Sequence, residues 1–169
     1  MSAATSTPAP ARGATKPLPR VATSNLTSPL GPLSVTEEAG RITRLDWGAL
    51  ADDPSDLTRE AARQLDAYFA RRLTRFDLPL DFGAGLGERV RRAMCAIPLG
   101  ETRTYGDLAR ALNAPAQAVG QACGANPVPI IIPCHRIVGA HGLGGFSAKG
   151  GVETKAWLLK HEGAASLLL

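Results

Sequence analysis

Three side chains of unlike chemistry stand side by side at Cys134, His135 and Arg136, directly after the apolar run Val128-Pro129-Ile130-Ile131-Ile132-Pro133. A thiol is a useful nucleophile only as its thiolate, so it needs a base or a positive field beside it. His135 is the nearest base along the chain, although neighbours in sequence need not touch in space. An acid that orients the imidazole would complete such a group, and Glu162 near the C-terminus is one candidate. A cysteine after an apolar strand is also commonly just a small buried side chain. The chain has 3 cysteines, Cys95, Cys123 and Cys134. That odd, sparse set gives no disulfide framework and points to a reducing compartment. A zinc cluster from Cys123, Cys134, His135 and His141 lacks paired ligand spacing, so no metal is expected.

The elements that must hold these residues can be read from periodicity and turn chemistry. Residues 1–24, with Pro8, Pro10, Pro17 and Pro19 among small polar residues, read as a disordered tail. Order is expected to begin near Leu26, where Leu30, Leu33 and Val35 precede Glu37-Glu38-Ala39-Gly40 and Ile42, Leu45 and Trp47 follow, a β-hairpin pattern. The cluster Asp52-Asp53-Pro54-Ser55-Asp56 can cap a helix whose apolar stripe runs Leu57, Ala61, Leu65, Phe69, Leu73. Residues 77–87, with Pro79 and three glycines, read as an interdomain linker. A second amphipathic helix carries Val90, Met94 and Ile97 and stops at Pro98-Leu99-Gly100. Thr104 suits an N-cap with Asp107 three residues on, opening a short helix Tyr105–Leu112. Asn113-Ala114 turn into Pro115, expected at a first helical position, and Ala116–Gly124 make the next helix. Val128–Ile132 is expected as a short buried strand, irregular because of Pro129.

Composition narrows the class. Of 169 residues, 44% are hydrophobic and 20% charged, ordinary values for a globular protein. No apolar run approaches the roughly 20 residues of a membrane span, and no secretory signal pattern opens the chain. The net charge of +4 is unevenly spread. Residues 1–24 have three basic side chains and no acid, residues 25–80 seven basic and nine acidic, residues 81–163 nine basic and six acidic. A basic tail and C-terminal half are compatible with a polyanionic partner without demonstrating one.

Two short helices joined by a tight turn form a helix-turn-helix pattern. The second one, Ala116-Gln117-Ala118-Val119-Gly120-Gln121-Ala122-Cys123, has no charge to read major-groove base edges. Its small side chains would allow the close approach that a minor groove requires. They equally suit a helix packed tightly in a core.

The run Asn126-Pro127-Val128-Pro129-Ile130-Ile131-Ile132-Pro133-Cys134-His135-Arg136-Ile137-Val138 closely resembles the active-site signature of the O6-alkylguanine-DNA alkyltransferases. Ile97–Ala109 resembles that family's approach to its helix-turn-helix, Gly142–Ser147 its substrate loop, and Lys155–Gly163 its terminal helix. The likeness covers residues from about 82 to 163. It implies an α/β N-terminal ribonuclease H-like domain (25–80), then a mainly α, helix-turn-helix, winged-helix-like domain (81–163) and a short tail (164–169). It further implies direct-reversal DNA repair, in which Cys134 takes the alkyl group from O6-alkylguanine once and irreversibly with no cofactor, and O4-methylthymine is a second candidate substrate. On the same resemblance His135 deprotonates Cys134 through a water with support from Glu162, and Tyr105 assists base flipping and protonates the departing guanine. Asn126 braces the active-site turn. Ser147 lies at the guanine oxygen, and Val138, Gln117 and Arg136 join the substrate set, although Arg136 suits a structural hydrogen-bonding role as well. Arg103, Thr104, Ala116, Gln117, Gly120 and Gln121 are the implied DNA contacts. The partner is double-stranded DNA bound by its minor groove, with no membrane, by a monomer in the cytoplasm (on the nucleoid if bacterial).

The sequence departs from the family pattern at Gln117, where an arginine that fills the vacated base stack is usual. The stretch before Phe146 is a residue short, and the N-terminal domain is shorter than usual and lacks the cysteines and histidines of a structural zinc site. A non-catalytic protein that only binds alkylated DNA is the main alternative. Members of that branch replace the cysteine that Cys134 matches. A helix-turn-helix regulator would leave the Pro-Cys-His-Arg word unexplained, and a cysteine hydrolase would need oxyanion donors that the sequence does not announce.

Overall fold

Two tight turns fold the first ordered stretch back on itself in the computed structural model, which describes residues 4–9, 13 and 17–164. Pro29-Leu30 joins β1 (Val21–Ser28) to β2 (Gly31–Glu38), and Ala39-Gly40 joins β2 to β3 (Arg41–Trp47). Ala39 and Gly40 both have positive φ, 52° and 77°, the pairing that matches the twist of a two-residue hairpin. The antiparallel order is β1-β2-β3, with an irregularity between Thr36 and Glu37. Leu33, Val35, Ile42 and Leu45 are buried beneath helix α1 (Asp56–Phe69), whose Ala61, Leu65 and Tyr68 form its inner stripe. Ser55 caps α1 in a reciprocal capping box with Thr58. The helix ends at Phe69 rather than continuing toward Leu73, because Arg71 takes a left-handed conformation.

The strand β1 begins at Val21, ahead of the Leu26 expected from the pattern, so residues 21–24 are not tail. Val21-Ala22-Thr23-Ser24 has few large apolar residues, and its inward positions are satisfied by hydroxyls instead. Thr23 bonds Thr36 at 3.1 Å and Ser24 bonds Thr58 at 2.8 Å, both buried. Part of the remaining tail, and residues 165–169 of the C-terminal one, lie outside the described residues. The expected linker is tied down as well: Ile42 N donates to Pro79 O (2.8 Å) and Asp81 N to Ile42 O (3.0 Å), adding a parallel bridge to the outer edge of β3.

The second half is built on α2 (Gly85–Cys95), α3 (Tyr105–Leu112), α4 (Ala116–Gly124) and α5 (Gly151–His161). Two-residue strands β4 (Arg103–Thr104) and β5 (Ile137–Val138) pair in parallel and bring the start of α3 beside the segment after Cys134. Thr104 and Asp107 cap α3 reciprocally, at 3.0 and 2.9 Å, and Asn113 ends it at φ 50°. Pro115 is the N-cap of α4 rather than its first residue, with ψ 138° still extended. No described helix is long and apolar enough to cross a membrane.

Val128–Ile132 is not a strand but a compact buried turn. Ile131 N donates to Pro129 O (2.9 Å), Ile132 N to Val128 O (2.9 Å), and Cys134 N to Ile132 O (2.8 Å). The first closes around Ile130 at φ 71°, a γ-turn of the rare positive-φ kind on a β-branched residue. Apolar composition alone does not separate a buried strand from a buried turn, and Pro129 and Pro133 remove two of the donors a ladder needs.

Candidate active site

Asn126 holds the turn closed from inside. Its Nδ2 donates to Ile132 O at 2.9 Å and its Oδ1 accepts from Val128 N at 3.1 Å, so one side chain ties both ends together. From the N-terminal domain, β3 adds a backbone bond from Leu45 N to Pro127 O at 2.9 Å. The turn delivers Cys134 as the first residue of a short 3-10 segment, Cys134–Arg136. Cys134 is partly exposed and lies between two recesses that also share Phe146 and Ser147. One, of about 350 Å³, adds Tyr105, Gly120 and Cys123, a volume at the lower end for small-molecule sites. The other is walled by β3 residues Arg44–Trp47 and by Pro129.

Behind the cysteine the chain buries an ionic group. His135 Nε2 lies 2.6 Å from Glu162 Oε1, and both side chains are wholly inaccessible. Arg136 donates from Nε to Oε2 (2.9 Å) and from Nη2 to Oε1 (3.0 Å), while its Nη1 donates to Ile97 O (2.6 Å). Tyr68 donates its hydroxyl to Oε1 at 2.8 Å. Burial opposes charge on Glu162, but the hydrogen bonds and charges of His135 and Arg136 outweigh it and hold its carboxyl down to about 2. Burial likewise lowers His135 against the pull of Glu162, so the imidazole is neutral near pH 7. An ionised carboxylate only accepts hydrogen bonds, so Nε2 carries the proton and Nδ1 keeps the lone pair. Nδ1 has no partner among the described residues. A neutral imidazole oriented in this way is a base at Nδ1.

The nucleophile needs that base. Burial pushes the Cys134 thiol up, against opposing contributions from Asn126 and Lys155, so at neutral pH it carries its proton. Lys155 is fully buried, donates to Gly145 O at 3.0 Å and lies 5.8 Å over the Tyr105 ring. Burial pulls its ammonium down to about 8, against the two cysteines Cys134 and Cys123. Burial, and then Cys123 and Cys134, raise the Tyr105 hydroxyl, which stays a proton donor.

The structure thus gathers Cys134, Tyr105, Asn126 and Ser147 around the recesses, with His135 and Glu162 behind them. Ser147 donates to Gly124 O at 3.0 Å, fixing the loop before α5 against the end of α4. Arg136 does not belong with the substrate residues: it is buried and every guanidinium nitrogen is engaged by Glu162 or Ile97. Val138, registered opposite Thr104, lines neither recess. Arg103, Ala116, Gln117 and Gln121 are exposed, with Thr104 and Gly120 half-buried beside them on the helix-turn-helix. Tyr68 and Lys155 join this group in addition to the residues expected from the sequence. Lys155 had a signal: with Leu158, Leu159 and Glu162 it follows the i, i+3, i+4, i+7 spacing of one buried helix face. Tyr68, 94 positions from Glu162, had none.

The low values of His135 and Glu162 have a consequence for stability. Both lie below their ordinary values of 6.5 and 4.5, so the folded chain binds fewer protons than the unfolded one and stability falls with falling pH. The loss is expected to start near pH 6.5 through His135 and to finish between 4.5 and about 2 through Glu162. Urea midpoints measured from pH 8 to pH 3 check this; a midpoint constant down to about pH 4 would contradict it.

A β-sheet and helix domain followed by a helix-turn-helix domain, with a thiol placed before a buried Glu-His pair, defines a DNA-binding-type protein built for covalent chemistry at cysteine. Its relatives agree. The 6-O-methylguanine DNA methyltransferase ribonuclease-like domain matches residues 22–82, and the DNA-binding domain of the same methyltransferase matches residues 86–164. The methylated-DNA–protein-cysteine methyltransferase of Mycobacterium leprae is 41% identical over 160 residues, 86% of this chain and 96% of the relative. That of Methanosarcina barkeri is 40% identical over 148 residues, 80% of this chain and 92% of the relative. A crystal structure of Mycobacterium tuberculosis OGT in complex with DNA aligns with TM-score 0.73 at 40% identity, over 85% of this chain and 93% of that one. The chain belongs to the 6-O-methylguanine DNA methyltransferase family.

Proposed function

We propose that this protein repairs alkylated double-stranded DNA by direct reversal, moving the alkyl group of O6-alkylguanine onto Cys134. The observation that carries the reading is Cys134 on the wall of the Tyr105 recess, with the His135–Glu162 pair behind it. The Cys134 proton passes to His135 Nδ1 through a water, and the sulfur attacks the alkyl carbon. A carbon–sulfur bond forms as the carbon–oxygen bond breaks. The electron pair stays with guanine, which takes a proton from Tyr105. The product is an intact guanine and a thioether that thiol exchange cannot reverse, so each molecule acts once.

DNA reaches the site through the exposed face carrying Arg103, Thr104, Ala116, Gln117, Gly120 and Gln121. Small side chains on α4 favour minor-groove contact, with the damaged base rotated out into the Tyr105 recess. Asn126 keeps the turn in shape and Ser147 serves the guanine oxygen. The protein works as a monomer in the cytoplasm, and O4-methylthymine in DNA is a second substrate to assay.

The test is transfer of label from duplex DNA containing labelled O6-methylguanine. The segment from Ala111 to Arg136 has no internal Lys or Arg, so one tryptic peptide holds both Cys123 and Cys134. Fragmentation of that peptide is expected to place one label per molecule on Cys134. Binding without transfer would leave the alternative, a protein that only recognises alkylated DNA.

Gln117 makes a separate prediction. It is exposed in the first turn of α4 and lacks the charge and planar stacking of arginine. Gln117→Arg is expected to raise the single-turnover rate on duplex DNA, by about tenfold for each 1.4 kcal/mol of added stabilisation. An unchanged rate would mean that base extrusion does not depend on this side chain.

A further inference from the structure

The carboxylate of Glu162 accepts hydrogen bonds from three residues, and one of them belongs to the other domain. Tyr68 lies on the inner stripe of α1, 2% exposed, with its ring against Phe76 and His161. Its hydroxyl donates to Glu162 Oε1 at 2.8 Å, and its backbone oxygen is 3.0 Å from His161 Nε2. Two consecutive residues at the end of α5 are thus clasped by one tyrosine. We propose that Tyr68 is a positioning residue for alkyl transfer, its hydroxyl fixing Oε1 of Glu162 against His135 so that the N-terminal domain sets the base that serves Cys134. The proposal rests on the reading of His135 as that base.

The titratable and charged neighbours are His135, Arg136, Lys155 and His161, whose ring centroid lies 5.2 Å from that of Tyr68. Glu162 bonds to His135 and Arg136 from the 3-10 segment and to Tyr68 from α1. His135 also senses Arg136 and, from α5, Lys155. On α2, Arg92 acts on Cys95 together with Arg75, and neither bonds Glu162. Burial and the nearby Glu162 charge raise the Tyr68 hydroxyl far above its usual value, so it is a permanent donor. Oε1 therefore shares its negative charge between Tyr68, His135 and one N–H of Arg136. Without the tyrosine hydroxyl, Oε1 is the stronger acceptor for His135 and holds a proton on the imidazole more firmly. A protonated imidazole cannot receive the cysteine proton, so the acid side of the rate profile must move to higher pH.

Tyr68→Phe keeps the ring and removes only the donor. Single-turnover transfer from labelled O6-methylguanine duplex is measured against pH for the parent, Tyr68→Phe and His135→Gln, with DNA affinity alongside. Tyr68→Phe is expected to leave DNA affinity unchanged and to move the rate profile along the pH axis rather than scale it. Its acid midpoint is expected to rise by about half a pH unit or more. Phe76→Leu disturbs the packing of the same ring but keeps the hydroxyl; it should lower the melting temperature and leave the midpoint where it was. A Tyr68→Phe profile that superposes on the parent after scaling, or a Phe76→Leu variant that moves the midpoint equally, overturns the proposal. If instead His135→Gln retains the parent's acid limb, the reading of His135 as base fails, and that result is separable from the tyrosine result.

Discussion

Replacing Cys134 with alanine is expected to abolish alkyl transfer while leaving affinity for alkylated duplex within about twofold of the parent, since phosphate contacts rather than the thiol carry binding. The remaining thiols cannot stand in. Cys123 lines the same recess, but burial and its neighbour Cys134 push it up to about 12, which leaves almost no thiolate at neutral pH. Cys95 is also raised by burial and lies on α2, in neither recess beside Cys134. Loss of one partly exposed sulfur should change folding stability by less than about 1 kcal/mol. The measurement is label retained in DNA after incubation with excess protein, with a thermal melt to show an intact fold. Label on the alanine variant would mean that the nucleophile has been misassigned.

Glu162→Gln should damage stability and chemistry together, and for one reason. Arg136 and His135 are buried with no other acid in bonding reach among the described residues, so a neutral amide leaves the guanidinium charge uncompensated. Breaking a buried ion pair from one side costs about 3–5 kcal/mol, a large share of the roughly 5–15 kcal/mol that holds an ordinary domain folded. The amide also fails to fix the imidazole tautomer, and loss of an oriented base lowers rates by about 10²–10⁴. Urea unfolding and single-turnover transfer on the folded fraction separate the two effects. A variant as stable as the parent would show that the ionic group does not support the fold.

Arg136 joins the substrate residues by the family resemblance, although it suits a structural hydrogen-bonding role as well. The fold turns it inward instead, and its charge serves Glu162.

What could be read in advance was what is local. The limits of α3 and α4 and the Thr104–Asp107 cap follow from side chains within a few residues of one another, so spacing alone reveals them. The strand β1 could not be read, because its partners are hydroxyl pairs with residues 13 and 34 positions away rather than an apolar stripe. The turn 128–132 does not follow from pattern, because its shape is set by Asn126 from one side and Leu45 from the other domain. Cys134, His135 and Glu162 were legible through their family-like words. Tyr68 was not, since nothing in a helical stripe distinguishes a core tyrosine from one whose hydroxyl meets a carboxylate 94 residues on.

Ile130 draws these scales into conflict. Its left-handed backbone would suit glycine, while its side chain, 0% exposed, belongs to the core. A β-branched residue held there costs on the order of 1–3 kcal/mol, and removing its side chain would forfeit a comparable gain from burial. Glycine would relieve the backbone and lose the burial, and isoleucine does the reverse. The position is locally frustrated, and its frustration lies four residues before the nucleophile. Selection for a more comfortable loop and selection for a tighter core therefore pull this site in opposite directions, at the place where the geometry of the reaction is set.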